Sequence, residues 1–83
     1  MKEVGVVEHF FSKISVAAIK LTDVLRVGDK IRIKGATTDF EQVVESMEIN
    51  RQKIEEGKPG DEIGIKVMER VREGDKVYKV EEA

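Results

Sequence analysis

Phe40-Glu41-Gln42-Val43-Val44-Glu45-Ser46-Met47-Glu48-Ile49 can be read in two ways, and the fold class turns on the choice. With a helical period, Phe40, Val43, Val44 and Met47 fall at i, i+3, i+4 and i+7, the face of a helix that could continue to Glu56. With a strand period, Val43, Glu45, Met47 and Ile49 share one side of its second half, and Val44, Ser46 and Glu48 the other. Burying Glu45 without a partner is costly, so the strand reading needs a bulge near Val43-Val44. A helix here makes an α+β fold; a strand makes an all-β one. Periodicity alone leaves both open.

The flanks are clearer. Upstream, Gly35-Ala36-Thr37-Thr38-Asp39 reads as a loop; downstream, Asn50 to Lys58 is charged and reads as one helical turn before Gly57 and Pro59-Gly60. On both sides stand copies of one pattern: Val27-Gly28-Asp29-Lys30-Ile31-Arg32-Ile33-Lys34, Pro59-Gly60-Asp61-Glu62-Ile63-Gly64-Ile65-Lys66 and Glu73-Gly74-Asp75-Lys76-Val77-Tyr78-Lys79-Val80. In each, Gly-Asp precedes an alternating strand. Glycine takes positive φ without steric cost, and the Asp side chain can bond backbone amides two residues on, so each pair predicts a sharp turn into a strand. The glycines are 32 and 14 residues apart, too unevenly spaced for a solenoid. At the start, Val4 to Phe11 and Ser15 to Leu21 flank Ser12-Lys13 as a hairpin. A connector from Thr22 to Val27 follows, with Leu25 and Val27 expected to plug the core edge.

Composition bounds the rest. A chain of 83 residues holds one small domain, expected over 1–83. With no cysteine, thiol catalysis, disulfides and Cys-based zinc sites are excluded, and the single His9 excludes a multi-histidine metal cluster. No apolar run is long enough for a membrane helix, and Met1-Lys2-Glu3 does not open a signal peptide, so the expectation is a cytoplasmic protein without a membrane partner. Abundant Glu, Lys and Arg with little Asn and Gln follow the trend of heat-adapted proteins, predicting a thermophilic source.

Catalytic signals are weak. His9 is the one histidine, and Ser12, Ser15 and Ser46 each need a base that only His9 could supply. Acidic pairs such as Glu55-Glu56 and Glu81-Glu82 sit in polar stretches that read as solvated, and no phosphate-binding P-loop occurs. The expectation is a non-enzyme with no cofactor and no metal. Binding signals are better defined. Lys30, Arg32 and Lys34 alternate with Ile31 and Ile33, and with Arg26 they give four cations against Asp29, a local balance of +3. The alternative is a solvated strand face paired with Glu41 or Glu45. Phe10, Phe11, Lys13 and Ile14 cluster at the hairpin tip, where an exposed ring could anchor a partner.

Taken in order, the opening hairpin, Leu25-Arg26-Val27-Gly28-Asp29-Lys30-Ile31, Ser46-Met47-Glu48-Ile49, Pro59-Gly60-Asp61-Glu62-Ile63-Gly64-Ile65 and Glu73-Gly74-Asp75-Lys76-Val77 resemble the second domain of translational GTPases, the elongation factor Tu-like domain 2 β-barrel. Phe10-Phe11-Ser12-Lys13-Ile14 and Thr37-Thr38-Asp39-Phe40-Glu41 are also similar to the C-terminal barrel of collagenase-like peptidase-family proteins. The resemblance implies an all-β fold, a single small closed antiparallel β-barrel of about six strands, and so favours the strand reading of Phe40 to Ile49. From the first family it implies a stand-alone module without GTPase activity that binds tRNA or ribosomal RNA, with Glu48 and Arg51 at the places where that family holds the aminoacyl end of tRNA. Arg26, Lys30, Arg32 and Lys34 would complete the RNA contact set, while Glu62, at the next position of that pocket, would repel a phosphate. A protein partner would then supply the missing GTPase or enzyme domain. The alternative it implies is an accessory interaction module for a peptidase-like or RNA-modifying enzyme, docking through Phe10, Phe11, Lys13 and Ile14.

Overall fold

Gly28, Gly60 and Gly74 have φ values of 98°, 93° and 89° in a computed structural model, which describes residues 1–81. Each is the third residue of a turn closed by the aspartate after it. The amides of Asp29, Asp61 and Asp75 donate to the carbonyls of Arg26, Lys58 and Arg72 over 3.0, 3.0 and 3.1 Å. Positive φ at the third position is the type II geometry, which glycine adopts without steric cost. The aspartate carboxylates reach backward, not forward as expected: each accepts from the N–H of the turn's first residue, Arg26, Lys58 or Arg72, at 2.9 Å. Such a turn folds its first residue alongside its fourth, so the nearest unpaired amide lies three residues back.

The corners lead into three of the ten antiparallel strands among the described residues. The ten are β1 (Lys2–Phe11), β2 (Val16–Leu21), β3 (Leu25–Arg26), β4 (Lys30–Lys34), β5 (Asp39–Val43), β6 (Met47–Ile49), β7 (Gln52–Ile54), β8 (Glu56–Gly57), β9 (Glu62–Lys66) and β10 (Lys76–Lys79). Eight form one sheet in the order β5-β4-β10-β1-β2-β9-β6-β7, and β3 pairs with β8 as a separate ribbon. There is no helix among the described residues, so the strand reading of Phe40 to Ile49 holds. It holds as two strands. Between β5 and β6 the ladder breaks at residues 44–46, where Val44 exchanges backbone bonds with the first corner, its N–H donating to Asp29 and its carbonyl accepting from Gly28. The break lets Val44 and Met47 both face inward while Glu45 and Ser46 stay in water. The expected helical turn over Asn50 to Lys58 is instead a tight hairpin turn at Asn50-Arg51, followed by β7 and β8.

Alternation then builds one core. Val4 and Val7, Ala17, Ile19 and Leu21, Ile31 and Ile33, Ile63 and Ile65, and Val77 all point to the same interior. Leu25 is fully buried at the core edge as expected, but Val27 is 38% exposed, because it is the second residue of its type II turn and points outward. Gly5 is required by crowding: a Cβ there would stand 2.7 Å from Ile19 Cγ2 and 2.8 Å from the Lys20 carbonyl.

The ladder departs from a closed six-stranded cylinder. It has eight strands, and no backbone pairing joins its terminal strands β5 and β7 among the described residues. A side chain ties part of the gap. The buried Gln42 amide donates from Nε2 to the Lys66 carbonyl and accepts at Oε1 from the Met68 N–H, both at 2.8 Å, linking β5 to the end of β9. Glu82 of the Glu81-Glu82 pair, and the last two residues of the expected 1–83 domain, lie outside the described residues.

Candidate functional site

The cations expected to bind RNA are held by neighbouring acids. The β4–β5 register sets Arg32 opposite Glu41 and Lys34 opposite Asp39. Arg32 grips Asp39 with both carboxylate oxygens, Nε to Oδ1 at 2.7 Å and Nη2 to Oδ2 at 2.9 Å, and stands 3.7 Å from Glu41. That bond holds the Asp39 carboxyl below its ordinary range and raises the Arg32 guanidinium above its own. Lys30 pairs with Glu41 at 3.2 Å and Arg26 with Glu56 at 3.5 Å. Lys34 alone of the four has no ion pair among the described residues. The stripe has the paired strand face of the alternative reading, with Glu41 as its named partner, while Glu45 takes no part and Asp39 and Glu56, which the sequence did not single out as partners, supply the rest.

The other expected residues meet elsewhere. A groove of about 520 Å³ runs between the tip of the β1–β2 hairpin and the β6–β7 turn. Phe11 and Ile14, 46% and 61% exposed, stand at one side; Glu48 and Arg51 at the other. The floor is low because Ala18 of β2 and Gly64 of β9 face each other in register. Arg51 reaches its place from a turn in which both Asn50 and Arg51 have positive φ, 51° and 65°, as a two-residue type I′ hairpin requires. Glu62 joins the rim and is engaged by Lys20 at 3.6 Å. Two sets kept apart in the sequence, Phe11 with Ile14 and Glu48 with Arg51, thus share one groove. Phe10 does not, since it packs half-buried against the core, and Lys13, exposed at the tip, does not line the groove. Ala18 and Gly64 carried no signal beforehand, because a floor of two small residues exists only once β2 and β9 are aligned.

His9 is held at the hairpin by Glu73, with Nδ1 3.3 Å from Oε1, and by an edge-on contact with the Phe11 ring at 4.5 Å. Among the described residues it makes no hydrogen bond to a serine, and no group of His, Asp or Glu is arranged to hold a metal ion. Nor is any helix there long and apolar enough to cross a membrane.

No protein-family model matches the chain. It is 47% identical over 81 residues, 96% of its length, to an uncharacterized protease of Methanocaldococcus jannaschii, and 38% identical over 72 residues to a collagenase of Porphyromonas gingivalis. The chain spans about a fifth of the length of these curated relatives. Among solved structures, two crystal structures of the C-terminal domain of a putative U32 peptidase from Geobacillus thermoleovorans, one of its selenomethionine variant, superpose with a TM-score of 0.91 at 18% identity, covering 95% and 96% of this chain and 100% and 93% of theirs. These findings contradict the translation-factor reading, because the relatives are named as peptidase and collagenase and not as elongation factors, and they give RNA binding no support. They match the second resemblance: the chain has the fold of the C-terminal domain of a putative U32 peptidase, and its sequence is similar to a segment of proteins named protease and collagenase.

Proposed function

We propose that the chain serves as an accessory β-domain of a peptidase-like enzyme, docking on the catalytic portion of that enzyme through the groove between the hairpin tip and the β6–β7 turn. The observation that carries this reading is the pair of exposed side chains Phe11 and Ile14 on a floor of small residues, in one groove with the charged Glu48, Arg51 and Glu62. An apolar anchor ringed by polar groups is the common form of an interface centre. On this reading catalysis belongs to the rest of the enzyme, the chain needs no cofactor of its own, and the complex works in the cytoplasm, in keeping with a sequence free of cysteine.

The test mixes this domain with the Methanocaldococcus jannaschii relative truncated to remove the segment that matches it. Calorimetry is expected to show one-to-one binding, and the Phe11→Ser, Ile14→Ser double variant to weaken it by about tenfold or more. Because both side chains are exposed, the variant should keep the parent's melting temperature. Absence of binding by the parent, or equal binding by the variant, overturns the proposal.

A further inference from the structure

A second cavity, of about 460 Å³, lies beside the hairpin tip, between the end of β1 and the loop that leads to β10. That loop, residues 67–75, has no regular structure, yet it is fastened along its length. The Val67 N–H donates to the Ser15 carbonyl, and Met68 is bonded to Gln42. The Arg72 N–H donates to the Asp75 carboxylate, while Gly74 and Asp75 exchange backbone bonds with Val7 at 2.8 Å each. In its middle Val71 is buried, and its two neighbours, Arg70 and Arg72, are exposed and line the same cavity.

Arg26 and Arg32, like Lys2, Lys20, Lys30, Lys76 and Lys79, are in ion pairs. Arg70 and Arg72 are without an ion pair among the described residues, as are Arg51, Lys13, Lys34, Lys53, Lys58 and Lys66, but they are the two cations that line one cavity together beside a serine. Of the two acids beside them in the chain, Glu73 lines the same cavity and is turned to His9, and Glu69 is exposed and makes no ion pair among the described residues. Across the cavity stands Ser12, whose hydroxyl can donate.

We propose that this cavity binds a compact oxyanion, a phosphate or carboxylate group, between Arg70 and Arg72 with the Ser12 hydroxyl as a third donor. The planar fork of a guanidinium matches the oxygen spacing of such groups, and charge-assisted bonds of this kind are about twice as strong as neutral ones. Because the loop is already fastened, little backbone order is lost on binding. The site is independent of the groove assigned above to the enzyme contact.

The experiment follows arginine Nε–H and backbone amide resonances of the intact chain while inorganic phosphate, or acetate in a second arm, replaces chloride at constant ionic strength. Saturable shifts confined to Ser12 and residues 70–73 are expected. Phosphate saturating at the lower concentration marks a dianion as the natural ligand, and acetate doing so marks a carboxylate; either supports the site. Arg72→Gln should weaken binding by about fivefold or more, and the Arg70→Gln, Arg72→Gln double variant should abolish saturation without changing the melting temperature. Shifts that do not saturate with either anion, or a double variant that binds as the parent does, overturn the proposal. The Ile14→Ser variant, altered at a residue that does not line this cavity, should bind the anion unchanged, which separates failure here from failure of the enzyme contact.

Discussion

At Arg51 the backbone has φ of 65°, a left-handed conformation that costs a residue with a Cβ about 1–2 kcal/mol. Asn50 before it tolerates that region better, since its short amide can bond the local backbone. The type I′ turn favours glycine at the second place, so Arg51→Gly should stabilise the domain by about 0.5 kcal/mol, relief of strain exceeding the extra freedom of the unfolded chain. The same physics runs the other way at Gly60, where φ is 93° and a Cβ would meet nothing within 4 Å. Gly60→Ala should therefore destabilise through backbone conformation alone, by about 1–2 kcal/mol. Urea unfolding of the two variants beside the parent checks both signs. Arg51 holds this strained place on the edge of the groove that Phe11 and Ile14 line, where its guanidinium is available to the proposed interface.

Elements are joined here by more than backbone ladders. At the β5 end of the sheet the Gln42 side chain takes the part of a neighbouring strand, offering one donor and one acceptor to the backbone beyond β9. Gln42→Leu keeps the approximate volume but leaves the Lys66 carbonyl and the Met68 N–H without partners. A loss of about 1–3 kcal/mol is expected, the usual cost of stranded buried polar groups. Amide hydrogen exchange should also show Met68 opening far faster, while the β1–β2 amides change only by the global loss of stability. Equal acceleration at both places would mean that Gln42 is not a local seam.

Across the whole molecule, two exposed ion pairs make the stability depend on acid. Lys2 lies 2.7 Å from Asp23, and Arg32 grips Asp39; the hydrogen bonds to Lys2 and Arg32 hold those carboxyls below the ordinary value of 3.8. The unfolded chain thus takes up these protons first as pH falls. The contribution is complete above about pH 4 and is lost as pH drops through the depressed folded values. Asp39→Asn should lower the melting temperature at pH 7 and make its decline below pH 4 shallower, with added salt shrinking both differences. What could be read beforehand follows the range of the interactions involved. The three Gly-Asp corners, the opening hairpin and the burial of Leu25 depend on a few neighbouring residues, on positive φ and on alternation, and these are written locally. Phe40 to Ile49 was undecided because both periods fit, and the break at 44–46 arises only where Val44 meets the first corner. The choice of Glu41 over Glu45 beside the cation stripe needed the β4–β5 register, and the Arg26–Glu56 pair needed the β3–β8 ribbon. The groove needed Ala18 set against Gly64, residues 46 positions apart in the chain. Thus the amino-acid order by itself determined where the chain turns and which side chains leave water, since those are short-range choices of backbone and solvation. Which charges neutralise one another, and which exposed side chains stand together, was decided only by the tertiary structure, because alignment of distant strands is a property of the assembled sheet.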